Sequence, residues 1–299
     1  MKNQLKVNII NGGCRQMKRL LTIFAVTLII GFLLPNSALA EEVSPEHQEG
    51  YVQQGDGCYY VVSWCKGHEE NNSRSIYGEF CFPDSYEEGK TYPIVIFCHQ
   101  NMGSYKSFKN PGWLQDLAAK GYIGYCFDFS GGTKAPNCLS NDLDYEESTD
   151  ETQVADLDAL ISFVKEQPFC DPDNIYLLGG SRGGRDIALA APSHNEDLAG
   201  IIILYGAVTD DESVEKASGY EGDALLIHGL NDQAVPYTAS VEALANLYGE
   251  SNSELVLLSG KKAVHSFDGV QPELKSIAVD AVLDFLDRHV ESSKTEKDN

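Results

Sequence analysis

From Ser75 onward the chain alternates short apolar runs with stretches of helical periodicity, and no other feature narrows its possible folds as far. The runs SIYGEFCF, YPIVIFCH, YIGYCFDF, NIYLLGG, GIIILYGA, DALLIHG and ELVLLSG read as strands bounded by turn-forming residues. Several are apolar without a break, as strands covered on both faces must be. Between them Val154, Leu157, Leu160, Ile161 and Val164 recur at helical spacing, and so do Ile277, Val279, Val282, Leu283 and Leu286. Strands alternating with helices build parallel β-α-β units, so the expected class is α/β. No repeat or low-complexity linker interrupts residues 71–290, which read as one domain. Residues 41–70 read as a polar and aromatic N-terminal extension, and ESSKTEKDN, 291–299, as a frayed polar tail.

The first forty residues follow other rules. Lys18 and Arg19 precede the uncharged run LLTIFAVTLIIGFLL, which is followed by Pro35 and the small-residue site Ala38-Leu39-Ala40. That is the pattern of a secretory signal peptide. The run is shorter than the roughly 20 apolar residues that span a bilayer. Cleavage after Ala40 is therefore expected, leaving a soluble chain outside the cytoplasm, secreted or periplasmic and without a membrane partner. The chain has 22 basic and 45 acidic residues, a net charge of −23 at pH 7, and loss of the leader's five basic residues takes it to −28. Such a surface repels nucleic acid, which is not an expected partner.

Seven cysteines lie beyond the leader. Cys98 and Cys126 sit in apolar runs and read as small core residues, whereas Cys58, Cys65, Cys138 and Cys170 lie near turn signals and are the better bridge candidates. None has C-x-x-C spacing, so no zinc or redox site is expected, and no motif asks for a cofactor.

The chemistry starts from IYLLGGSRGGRDIALAA, residues 175–191, where a strand enters a glycine-rich knot and leaves it as a helix. A dinucleotide loop needs G-x-G-x-x-G, but Ser181 stands where the second glycine belongs; a P-loop needs a lysine after its last glycine. What fits is Gly179-x-Ser181-x-Gly183, a nucleophile elbow, in which small residues let the chain turn sharply enough to present the serine hydroxyl.

A serine hydroxyl is a poor nucleophile until a histidine takes its proton, and that histidine needs a carboxylate to fix its tautomer. Both should follow later strands. Asp232 lies in the loop after DALLIHG and His265 in the loop after ELVLLSG, giving the order Ser181, Asp232, His265. His228, at the end of its strand, is a rival base but reads as structural. Asp268, three residues past His265, is an alternative orienting acid.

YPIVIFCH with its following loop, GYIGYCFDFSGG, DPDNIYLLGGSRGG, LLIHGLNDQAVPY and VHSFDG together resemble the α/β-hydrolases grouped with cinnamoyl and feruloyl esterases and the broader serine-aminopeptidase-like set, from Ile76 to His289. The resemblance implies an α/β-hydrolase fold, with Ser181 forming an acyl-enzyme, His265 acting as base and then acid, and Asp232 orienting it. It also implies an oxyanion hole made by the backbone N–H groups of Asn101 and Arg182.

Two departures from that family stand out. Its His-Gly-aromatic turn is replaced by His99-Gln100-Asn101-Met102-Gly103, so a residue with a side chain makes a turn that glycine usually makes. The cinnamoyl esterases also insert a lid between their sixth and seventh core strands, whereas here only VTDDESVEKASGYEG, residues 208–222, fills that gap. With a minimal or absent cap, either the pocket is open, which suits a bulky or polymer-attached ester, or the aromatic-acyl specificity has been lost. Residues 130–148 form a long loop able to cover part of the site, while Tyr205 and Tyr237 read as packing residues. Arg185 and Asp186 are unusual charges on the helix after an elbow and are expected to be paired.

The expected function is a secreted serine hydrolase of carboxylic esters, with small acyl or hydroxycinnamoyl esters of plant-type polysaccharide favoured. A peptidase of the same fold and a non-catalytic binding protein on a hydrolase scaffold are the alternatives.

Overall fold

Successive side chains of a strand point to opposite faces, and a strand buried on both sides feeds two cores at once. In the computed structural model, which describes residues 7–11, 50–55, 58–66, 75–130, 138–140 and 148–297, the central strands do this residue by residue. Ile94, Ile96, Leu177, Ile201, Ile203 and Leu226 enter one core, while Val95, Phe97, Leu178, Ile202, Leu204 and Ile227 enter the other.

These residues belong to a ten-stranded sheet. Its strands are β1 (Val7–Asn11), β2 (Gly50–Gly55), β3 (Cys58–Lys66), β4 (Ser75–Pro83), β5 (Tyr92–Cys98), β6 (Ile123–Phe127), β7 (Cys170–Gly180), β8 (Gly200–Leu204), β9 (Ala224–Gly229) and β10 (Ser253–Ser259). The spatial order is β1-β10-β9-β8-β7-β5-β6-β4-β3-β2. Every pairing from β1 to β6 in that order is parallel, and the last three are antiparallel.

The first core is closed by α3 (Asp150–Lys165), α4 (Arg182–Ala190) and α6 (Val241–Tyr248), through Leu157, Leu160, Ile161, Ile187, Val241 and Leu244. The second is closed by α1 (Lys106–Lys109), α2 (Trp113–Ala118) and α8 (Pro272–Lys297), through Phe108, Trp113, Leu117, Val282 and Leu286. Both stripes seen in the sequence thus lie on helices that cover the sheet. The two remaining helices are short, α5 (Asp211–Ala217) and α7 (Phe267–Val270).

Several expectations change. The sheet begins upstream of residue 71, because β3 pairs along its whole length with β4 in the stretch read as an extension. The residues read as a frayed tail continue α8 as far as Lys297. Within the expected leader, Val7–Asn11 pairs with β10; the apolar run and cleavage site lie outside the described residues, as does most of the 130–148 loop.

Among the described residues no cysteine forms a bridge: the seven from Cys58 to Cys170 are buried thiols. They work as small core residues with weak hydrogen bonds, as from Cys65 to the Ala159 carbonyl and from Cys126 to that of Glu79. Burial pushes the thiols of Cys65 and Cys170 up to about 12. No described helix is long and apolar enough to cross a membrane.

Candidate active site

The carboxyl ends of parallel strands collect loops on one edge of an α/β sheet. Ser181 follows β7, Asp232 follows β9, His265 follows β10, and the turn carrying Asn101 follows β5. At the elbow Ser181 has φ 53° and ψ −115°, a conformation costly for a residue with a side chain. It is held from both sides: its N–H donates to the Leu204 carbonyl, and its own carbonyl accepts from the N–H groups of Arg185 and Ala207. Gly183 is required by close approach, since a Cβ there would lie 2.1 Å from the Cys98 carbonyl oxygen.

Ser181, His265 and Asp232 come together as one hydrogen-bonded chain. His265 Nε2 lies 2.9 Å from Ser181 Oγ, and His265 Nδ1 lies 2.7 Å from Asp232 Oδ2. An ionised carboxylate only accepts, so the neutral imidazole carries its proton on Nδ1 and leaves the Nε2 lone pair to receive the serine proton. Asp232 is buried, which raises a carboxyl. Hydrogen bonds from His228, the Val235 N–H and His265 outweigh that burial and hold it at about 2. The Ala234 and Val235 N–H groups both donate to its other oxygen, Oδ1, at 2.9 Å.

The alternative assignments separate cleanly. His228 is fully buried and bonds to Asp232 and the Val235 carbonyl rather than to Ser181. Asp268 accepts from Trp113 Nε1 at 2.9 Å and from the Tyr205 hydroxyl at 2.7 Å. Those bonds brace the Tyr205 ring, which meets the His265 ring edge to face at 5.1 Å. Tyr205 is thus a support for the histidine that its sequence context did not reveal. Arg185 pairs with Asp150 and Asp210, and Asp186 with Arg182, so these charges serve each other and neighbouring acids.

On the β5 side the chain turns back at Gln100, whose carbonyl accepts from the Gly103 N–H at 2.8 Å. Gln100 is not among the residues of positive φ; Met102, at φ 59°, carries the left-handed backbone instead. The turn therefore does not need glycine at position 100. His99, buried beneath it, lies 2.9 Å from the Gln100 carbonyl through Nδ1 and accepts from the Phe129 N–H through Nε2, tying the turn to the loop after β6. Desolvation lowers this imidazole to about 4. Arg182 is the first residue of α4, where helix geometry leaves N–H groups without an intrahelical acceptor. Asn101 is exposed on the turn.

Beside His265 an open hollow of about 720 Å³ is lined by Asn231, Gln233, Ala234, Lys261 and Val264. The β8–β9 connection carries one α-helix, the seven-residue α5. Among the described residues no group of three or more His, Cys, Asp or Glu side chains is arranged to hold a metal ion.

A mostly parallel sheet flanked by helices, with a strained serine between β7 and α4, defines an α/β-hydrolase. The chain belongs to the dienelactone hydrolase family, which it matches over residues 84–293. It is 29% identical to the carboxymethylenebutenolidase of Pseudomonas sp. (strain P51) over 163 residues, 50% of this chain and 64% of that protein. Among solved structures it resembles Est1E from Butyrivibrio proteoclasticus with bound ferulic acid at 21% identity, covering 73% of this chain and 96% of that one with a TM-score of 0.61. It also resembles the acetyl xylan esterase from Paenibacillus sp. R4 at 16% identity, covering 79% of this chain and 88% of that one with a TM-score of 0.60. The family it matches is one of hydrolases.

Proposed function

We propose that the protein is a secreted serine hydrolase that cleaves carboxylic esters through an acyl-enzyme on Ser181. The observation that carries this reading is the continuous hydrogen-bonded chain from Ser181 Oγ through His265 to Asp232. Ser181 Oγ attacks the ester carbonyl carbon as its proton passes to His265 Nε2, and Asp232 stabilises the imidazolium. The tetrahedral oxyanion faces the N–H groups of Arg182 and Asn101. Collapse breaks the carbon–oxygen bond to the leaving alcohol, which takes the proton from His265. Water then attacks the acyl-enzyme, His265 accepts its proton, and the second collapse releases the carboxylic acid and returns the proton to Ser181.

The favoured substrates are small acyl or hydroxycinnamoyl esters attached to plant-type polysaccharide. The open hollow beside His265 gives a bulky alcohol room, and the names of two structural neighbours, a ferulate-binding Est1E and an acetyl xylan esterase, point the same way. Export rests on the signal pattern of residues 1–40.

A fluorophosphonate probe should label the mature protein at Ser181, and Ser181→Ala should abolish labelling and lower kcat by about 10⁶-fold. A folded wild-type protein that does not label would exclude the enzyme reading. Comparison of p-nitrophenyl acetate, methyl ferulate and aminoacyl amides tests the substrate class; preference for the amides would replace esterase by peptidase.

A further inference from the structure

His228 is one residue from the end of β9 and wholly buried, yet its Nε2 lies 3.1 Å from Asp232 Oδ2 and 2.8 Å from the Val235 carbonyl oxygen. Both neighbours are acceptors, so the proton of this imidazole sits on Nε2 and is shared between them. Its Nδ1 is buried without a partner.

The same carboxylate oxygen, Oδ2, also accepts from His265 Nδ1 at 2.7 Å, while Oδ1 takes the N–H groups of Ala234 and Val235. Asp232 therefore has four donors, and Oδ2 divides its lone pairs between two imidazoles. We propose that His228 is a positioning residue of the reaction, its Nε2–H pinning the plane of the Asp232 carboxylate and drawing on the charge that the carboxylate offers to His265. The proposal rests on the serine-hydrolase reading given above.

The loop from Leu230 to Val235 leaves the sheet and returns, and one N–H closes it by reaching both Asp232 and the Val235 carbonyl. Without that donor the carboxylate is held only by the two N–H groups on Oδ1 and by His265, and the charge on Oδ2 falls more fully on His265. The other ionisable groups around the relay are Tyr205, which faces His265, Asp268, which is bonded to Tyr205, and Lys261, which lines the hollow beside His265. None of the three is hydrogen-bonded to Asp232, so none replaces His228.

The test compares three substitutions in the full-length protein, using p-nitrophenyl acetate and the rate of fluorophosphonate labelling at Ser181. His228→Gln carries an amide N–H at nearly the reach of Nε2 and should retain kcat within a few-fold. His228→Asn ends at the level of Nδ1, and His228→Leu has no donor. Each should lower kcat and the labelling rate by about tenfold or more, the worth of one hydrogen bond to a charged group, with KM little changed. The acid limb of the pH–rate profile should move to higher pH in both, because a more fully charged Asp232 favours the protonated form of His265.

Folded Asn and Leu variants that match wild type in kcat and acid limb overturn the proposal. Should they fail to fold, imidazole ¹⁵N spectra of the wild-type protein decide: a His228 proton on Nε2 sustains it, and one on Nδ1 overturns it. A wild-type protein that never labels at Ser181 removes the hydrolase reading instead, a result distinct from either of these.

Discussion

Asp232 and Asp186 are both buried acids tied to the elbow, one through His265 and the other from the first turns of α4, yet their carboxyls are displaced in opposite directions. Burial pushes Asp186 up to about 7 against the pull of Arg182, its ion-pair partner at 2.9 Å, and leaves its Oδ2 without a hydrogen bond. Burial pushes on Asp232 as well, but hydrogen bonds from His228, the Val235 N–H and His265 hold it at about 2. Removal from water raises a carboxyl; the number of donors that replace the water decides whether its charge survives. The acid that the proposed reaction needs charged is the one surrounded by donors.

The largest test of this contrast is at the relay. Asp232→Asn keeps the side-chain shape but loses the charge that fixes the His265 tautomer, and kcat should fall by about 10⁴-fold. Asp186→Asn should leave kcat within about threefold. Similar losses in the two variants, measured with one ester, would break the distinction.

A smaller effect concerns pH and stability. The folded state keeps a proton on Asp186 up to about 7, whereas the unfolded carboxyl releases it near 3.8. The unfolded state therefore binds fewer protons across that window, and the contribution of Asp186 to stability declines as pH rises from about 4 to 7. Asp232 acts in the opposite sense: its contribution is complete above 3.8 and is lost as pH falls through about 2. Asp186→Asn should flatten the decline, so its melting temperature relative to wild type should rise by about 5–10 °C between pH 4 and pH 8. A parallel pair of melting curves would count against Asp186 as its source.

The smallest effect is at the turn after β5. Met102 is 62% exposed and sits at φ 59°, so Met102→Gly should relieve strain worth about 1 kcal/mol, offset in part by the greater freedom of glycine in the unfolded chain. A small rise in melting temperature with unchanged kcat is expected. Gln100→Gly should give no such rise, because Gln100 lacks a left-handed backbone. A gain at position 100 rather than 102 would reverse the assignment of strain.

The strands from β4 to β10 were legible because their apolar runs are local patterns bounded by turns. The serine, acid and histidine were legible because the ends of successive parallel strands must share one edge of the sheet. β3 was missed because CYYVVSWCK becomes a sheet strand only through its pairing with β4. The last turns of α8 were missed because their residues are polar and the helix propagates into them from an amphipathic start. The bridge candidates failed for the opposite reason: turn signals nearby say nothing about which thiols meet, and burial made all seven core residues.

What the chain determined alone is therefore periodic or local: the alternation that makes an α/β sheet, the small residues that permit the elbow, and the order of Ser181, Asp232 and His265. Only tertiary structure decided that Asp268 serves Trp113 and Tyr205, which lie 155 and 63 residues away in the chain, rather than His265. It also decided that His228 and His265 share one oxygen of Asp232. A carboxylate accepts from whichever donors the packed strands bring within hydrogen-bond reach, and spacing along the chain does not encode that distance.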